Sequence, residues 1–137
     1  MKQAQKTNKM KKRVTGIGGI FFKSSNPNAS KEWYKKHLGL NTDQYGCTFW
    51  WMDSEGNECS TQWSPFPKDT KYYNPSKKEF MVNYRVENLE WLLSQLKAEG
   101  VTIVGDMETY DYGKFAWIMD NDENKIELWE PIDKAFK

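Results

Sequence analysis

The pattern of apolar and polar positions divides the chain into two similar halves. Between Glu79 and Val86 the sequence EFMVNYRV alternates with period two, the mark of a strand with one buried face. The stretch VTGIGGIFFKS, Val14 to Ser24, is rich in β-formers and reads as its counterpart. A helix follows each. In the first half Asn26 can cap, Pro27 suits the first turn, SKEWYKKHLGL carries the helix and Gly39 stops it. In the second half Asn88 caps, Leu89, Leu92, Leu93 and Leu96 form one apolar face, and Gly100 ends the helix. Three strand-like stretches then close each half. They are LNTDQY, CTFWWMD and ECSTQWSPF in the first, and VTIVGDME, GKFAWIMD and KIELWEP in the second. The polar turns DSEGN and DNDEN join the last two of each set.

The halves also match residue by residue. YGCTFWWMDSEGN, Tyr45 to Asn57, lies over YGKFAWIMDNDEN, Tyr112 to Asn124, without a gap. Tyr, Gly, Trp, Met, Asp and Asn coincide. The order strand–helix–strand–strand–strand, used twice, predicts an α+β domain of two βαβββ modules related by a pseudo-two-fold axis. A four-stranded sheet with one helix on one face leaves its other face uncovered. Two such sheets can close those faces around a shared cleft. Module one runs over about 14–64, a Pro- and Lys-rich linker over about 65–78, and module two over about 79–131, all within one domain, 14–137. Residues 1–13, with six Lys or Arg and no acid, read as a flexible basic tail.

Composition narrows the choices. A chain of 137 residues is one domain's worth, and a formal net charge of +1 makes no general demand for nucleic acid or membrane. Aromatics at 15%, seven of them Trp, suit cores and small-molecule pockets alike. Cys47 and Cys59 show no metal-motif spacing, no secretory signal precedes them, and no apolar run approaches a membrane span. A cytoplasmic protein with reduced thiols is the expectation. His37 is the single histidine, at the end of the first helix, so no Ser–His–Asp or Cys–His set can be assembled. GIGG at Gly16–Gly19 precedes a strand and not a helix, unlike a phosphate loop.

Strand alternation assigns the cleft. Gly19, Phe21 and Lys23 share one face of the first strand, with Ile20 and Phe22 toward the helix. Met81, Asn83 and Arg85 face the cleft from the fifth, and Lys125, Glu127 and Trp129 from the last. Gln62 or Trp63 adds to them from module one. Trp50, Trp51, Trp63, Trp117 and Trp129 are core and cleft walls. The candidate ligand-binding set is therefore Phe21, Gln62, Trp63, Met81, Asn83, Arg85, Glu127 and Trp129. Glu127 is either a paired carboxylate, bridged to Arg85 or Lys125, or a ligand contact.

The paired modules, together with WYKKHLGL, MVNYRV and the closing DNDENKIELWEP, resemble the vicinal oxygen chelate superfamily, the glyoxalase, bleomycin-resistance and extradiol-dioxygenase group. The likeness covers about residues 14 to 131, although Asn121 and Glu123 stand where the family's closing motif has Pro and Gly. It implies the glyoxalase/bleomycin-resistance fold. It also implies a divalent metal held by cleft-facing His and Glu. Those ligand positions fall on Gly19, near Met81, near Ser60, Thr61 or Gln62, and on Glu127, and only Glu127 keeps a ligand-type side chain. No cofactor is therefore expected, and Glu127 is a metal ligand only if a divalent metal is bound after all. The expected function is binding of a small planar or apolar ligand without a tightly held metal, by a homodimer. The alternative is a divalent-metal-dependent lyase, isomerase or dioxygenase using Glu127. A third reading, nucleic-acid contact through the tail, is disfavoured by the neutral domain.

Overall fold

The computed structural model describes residues 12–137. The expected basic tail therefore lies outside the described residues except for its last two. Arg13 is bonded to Glu99 at 2.8 Å and 3.2 Å and sits over the ring of Trp91, so the entry to the first strand is fixed.

Module one contains β1 (Val14–Ser24), α1 (Pro27–Leu38), β2 (Cys47–Met52) and β3 (Glu58–Pro67). Module two contains β4 (Phe80–Val86), α2 (Leu89–Ala98), β5 (Glu108–Tyr110), β6 (Gly113–Met119) and β7 (Lys125–Pro131), followed by a 3-10 turn at Asp133–Phe136. The expected helix signals hold. The Asn26 side chain accepts from the Ala29 amide and that of Asn88 from the Trp91 amide. Gly39 closes α1 in the left-handed conformation, φ 73°.

The α+β duplicated architecture is as expected, with four differences. The facing sheets are one seven-stranded sheet, ordered β2-β3-β1-β4-β7-β6-β5, because β1 and β4 pair antiparallel and join the modules edge to edge. The cleft is thus the concave face of a single sheet. The stretch LNTDQY is not a strand. Asp43 Oδ1 accepts from the amides of Tyr45 (2.8 Å) and Gly46 (3.0 Å), a local turn that competes with ladder pairing. In module two VTIVGDME docks on β6 through an Ile103–Ile118 bridge before β5 begins. β3 also outruns the expected linker boundary. Pro65 lies in the strand, beyond the last residue paired with β2, where no β2 residue stands opposite its missing amide.

The repeated residues explain themselves. Asp53 Oδ1 accepts from the amides of Glu55 and Asn57, and Asp120 Oδ1 from those of Asp122 and Asn124. Asn57 and Asn124 each return a side-chain bond to their aspartate. Gly46 and Gly113 have φ 143° and 133°, and a Cβ would lie 2.0 Å and 2.3 Å from the carbonyl oxygens of Trp63 and Glu130. Much of the repeat is therefore backbone geometry for one hairpin built twice.

The modules differ in how well their helices pack. Val86, Leu89, Leu92, Ala116, Ile118 and Leu128 form a buried core under α2. α1 contains no buried residue and meets the sheet mainly through Tyr34 on Trp63, with ring centroids 4.7 Å apart.

Candidate functional site

The register places one row of residues straight across the concave face. Thr48 pairs with Gln62, Gln62 with Gly19, Gly19 with Asn83, Asn83 with Glu127, and Glu127 with Trp117. Glu127 sits at the centre of the module-two half, 3% exposed. Its carboxylate accepts from Asn83 Nδ2 at 2.6 Å, from Trp117 Nε1 at 2.9 Å and from the hydroxyl of Tyr72. All three partners are uncharged donors.

Tyr72 comes from the linker, which folds back as a strap over the sheet. Lys125 Nζ holds the strap by donating to the Tyr72 carbonyl at 2.7 Å. The Tyr72 ring stacks on Phe66 at 5.6 Å and meets the edge of Trp117 at 6.2 Å. The neighbouring Tyr73 is fully buried with Met81 and Trp117, against Phe21 and Phe66. Burial, reinforced by the nearby charge of Glu127, raises both phenols well above the usual tyrosine range. Burial lowers the Lys125 ammonium, against the pull of Glu127.

Arg85 occupies a second station. The sequence left Glu127 and Arg85 as possible partners, but Arg85 turns the other way. Its Nη1 and Nη2 reach Asp133 at 2.6 Å and 2.8 Å, and Nη1 also reaches the Ser60 carbonyl at 3.0 Å. The Ser60 amide and hydroxyl donate to the same aspartate. Burial works to raise the Asp133 carboxyl, but the bonds from Arg85 and Ser60 outweigh it and hold it below the usual carboxylate range. Trp51 and Trp129 flank the guanidinium at 5.5 Å and 5.4 Å.

Seven of the eight candidate residues from the sequence share this face, among them Phe21, Met81, Asn83, Arg85, Glu127 and Trp129. Gln62 joins them in the central row, its amide between Thr48 and Ser60. Trp63 does not; it points to the helix side with Phe22 and Tyr34. His37 is exposed and lies beside Trp33. Sequence reasoning missed Tyr72, Tyr73 and Asp133. The signal for the first two was an adjacent pair of tyrosines between the lysines of the linker. GIGG finds its reason here as well. A register shift between Ile17 and Gly19 turns Gly18 onto the face, where a Cβ would lie 2.1 Å from Asn83 Oδ1 and 2.9 Å from Trp129.

The sequence pattern of the Glyoxalase/Bleomycin resistance protein/Dioxygenase superfamily matches residues 16–128. The chain belongs to that superfamily. Similar solved structures include methylmalonyl-CoA epimerase from Mycobacterium tuberculosis, 23% identical over 90% of this chain and 92% of that one, TM-score 0.58. A variant of the Streptomyces coelicolor methylmalonyl-CoA epimerase, in complex with 2-nitronate-propionyl-CoA, is 14% identical over 87% of this chain and 99% of that one, TM-score 0.66. A superfamily member from Vibrio splendidus 12B01 is 14% identical over 87% and 98%, TM-score 0.52. These likenesses show the fold. No curated protein matches the sequence.

A divalent ion does not fit the donors at the family's metal position. Gly19 supplies none, and of the two amide oxygens in the same row that of Gln62 already accepts from the Thr48 hydroxyl at 2.7 Å. The Glu127 carboxylate is already engaged by three donors. Asn83 Oδ1 has no partner among the described residues, but it faces Gly18 while the Nδ2 of the same amide holds Glu127. Among the described residues no three His, Cys, Asp or Glu side chains converge.

Proposed function

We propose that the protein binds a small planar ligand on the concave face, without a metal, and that Glu127 accepts a hydrogen bond from it. One observation carries the reading. A carboxylate only 3% exposed is held entirely by uncharged donors, and one of them, Tyr72, arrives on a strap rather than on the sheet. No cation bonds it directly, since the nearby Lys125 ammonium is spent on the Tyr72 carbonyl, and a buried carboxylate held by neutral donors is costly to keep. The aromatic walls, Phe21, Phe66, Trp117 and Trp129, suit a flat apolar body. The strap must yield for the ligand to enter, with the Tyr72 hydroxyl replaced on Glu127 by a ligand hydroxyl or N–H.

The test is a thermal-shift screen of phenols and related planar donors, followed by calorimetry on Glu127→Gln. That change keeps the shape and removes the charge. Binding should weaken by about 1.5–3 kcal/mol, the worth of a hydrogen bond to an ionised acceptor. Unchanged affinity in the variant would remove Glu127 from the site.

A homodimer is the second part of the proposal. Trp33 and Leu38 of α1 and Ile17 and Ile20 of β1 are 54%, 59%, 41% and 40% exposed, a large apolar area for a monomer to leave in water. Sedimentation equilibrium should give twice the chain mass; a monomer at micromolar concentration contradicts it. No helix among the described residues is long and apolar enough to cross a membrane. A cytoplasmic location with reduced Cys47 and Cys59 is the setting we assign.

A further inference from the structure

The two halves of the repeat end differently at the edges of the sheet. Thr48, Trp50 and Met52 of β2 correspond to Phe115, Trp117 and Met119 of β6. In module two the outer side of β6 is covered. The Val104 amide donates to the Trp117 carbonyl at 2.8 Å, the Met119 amide donates to the Thr102 carbonyl at 3.0 Å, and β5 pairs opposite Phe115. In module one the matching stretch, LNTDQY, curls on Asp43 instead, and β2 is the last strand of the sheet.

The register identifies the backbone groups left over. Trp50 stands opposite Ser60. Both backbone groups of Ser60 point away from β2, the amide to Asp133 at 2.9 Å and the carbonyl to Arg85 at 3.0 Å. Trp50 and Ser60 are therefore an antiparallel pair of the kind that exchanges no backbone bonds, and bonded pairs alternate with it. The Asp53 amide on the Asn57 carbonyl, at the turn, keeps the same alternation. The N–H and C=O groups of Thr48, Trp50 and Met52 thus face outward, and none has a partner among the described residues.

Nothing in the side chains protects this edge. Sheet edges are ordinarily kept from pairing by charge, proline or shortness. β5, at the other end, has three residues, with Glu108 among them and Asp106 and Asp111 close by. β2 is CTFWWM, six residues without a charge or a proline, and Phe49, Trp50 and Met52 are exposed.

Resting on the reading that the chain is a homodimer, we infer that two copies join through β2, antiparallel about a two-fold axis at Trp50, into one continuous sheet. The strand is self-complementary in that register. Trp50 lies opposite the partner's Trp50 and Thr48 opposite the partner's Met52, so every outward donor meets an outward acceptor. On the other face Phe49 meets the partner's Trp51. The uncharged edge lets identical copies approach without like charges meeting. Pairing of β2 with the partner's β5 would instead leave a free edge on each copy and propagate, whereas the two-fold contact closes.

The test is sedimentation of the full chain beside Trp50→Lys and Trp50→Glu. The unaltered chain should be a dimer. Each variant sets like charges across the axis and should raise the dimer dissociation constant about tenfold or more, and an equimolar mixture of the two should restore the dimer. Trp50→Cys should form a covalent dimer on oxidation, because opposite Cα atoms in a bonded pair lie about 5.5 Å apart, within disulfide reach. A dimer that both charge variants leave intact would overturn the inference and leave the homodimer to the α1 and β1 surface. A monomeric unaltered chain would overturn both readings. Weakening by both variants without recovery in the mixture would overturn the inference, since it would mean a disturbed fold rather than charges meeting across an axis. Cross-linking of Trp50→Cys only after residues 1–11 are deleted would give the edge to the chain's own N-terminal segment and overturn it as well. Should the charge variants fail to fold, the oxidation of Trp50→Cys decides alone.

Discussion

Removing a single oxygen, Tyr72→Phe, should destabilise the protein and strengthen ligand binding at once. The ring keeps its stack on Phe66 at 5.6 Å and its edge contact with Trp117 at 6.2 Å, so the packing is retained. What is lost is the hydroxyl on Glu127, which keeps the amide of Asn83 and the indole of Trp117. A hydrogen bond to an ionised group contributes about 1.5–3 kcal/mol. Tyr72 is 39% exposed, so water can reach part of the freed acceptor, and the lower end of that range applies. Urea unfolding should therefore show a loss of about 1.5 kcal/mol with an unchanged slope. The same bond no longer competes with an incoming hydroxyl, so affinity for phenol should rise about tenfold, the equivalent of about 1.4 kcal/mol. A purely structural tyrosine would lower stability without improving binding. Stability unchanged within about 0.5 kcal/mol, or affinity falling with it, would refute the strap as a competitor.

Other perturbations follow from the same geometry. Gly113→Ala and Gly46→Ala should each cost about 3 kcal/mol or more in chemical denaturation, from backbone strain plus collision with a carbonyl oxygen, whereas Gly56→Ala, with open space around it, should cost about 1–2 kcal/mol. Arg85→Ala leaves Asp133 without its cation in a largely dry site and should cost about 3–5 kcal/mol; a loss below about 1 kcal/mol would mean the pair is solvated. At high pH, unfolded tyrosines ionise near pH 10 while Tyr72 and Tyr73 resist, so the folded state holds more protons and stability should fall as pH rises past about 10. Denaturation series at pH 8 to 11 should show a shallower fall for Tyr72→Phe/Tyr73→Phe than for the unaltered chain.

The duplicated fold was legible because local signals and the repeat agree. Caps at Asn26 and Asn88, stops at Gly39 and Gly100 and the two Asp–Asn turns each specify backbone geometry within a few residues. LNTDQY was misread because Asp43 satisfies its own turn, a side-chain effect that period counting does not register. Most of the concave-face set followed from alternation alone. Trp63 went to the helix side because the choice between it and Gln62 depended on a register that only the β1–β3 pairing fixes. Tyr72 and Asp133 were invisible for a different reason. Each reaches the site across more than 45 residues of chain, from a strap and a turn with no periodic pattern to assign a face.

Whether the concave face works without a metal is the claim on which the functional account stands. Calorimetric titration of chelator-treated protein with phenol, repeated with added divalent ion, addresses it most directly. The account predicts the same affinity in both samples, weakened at least tenfold by Glu127→Gln. Binding that disappears with the chelator and returns with one divalent ion per chain, lost again in Glu127→Gln, would contradict it and make Glu127 a metal ligand.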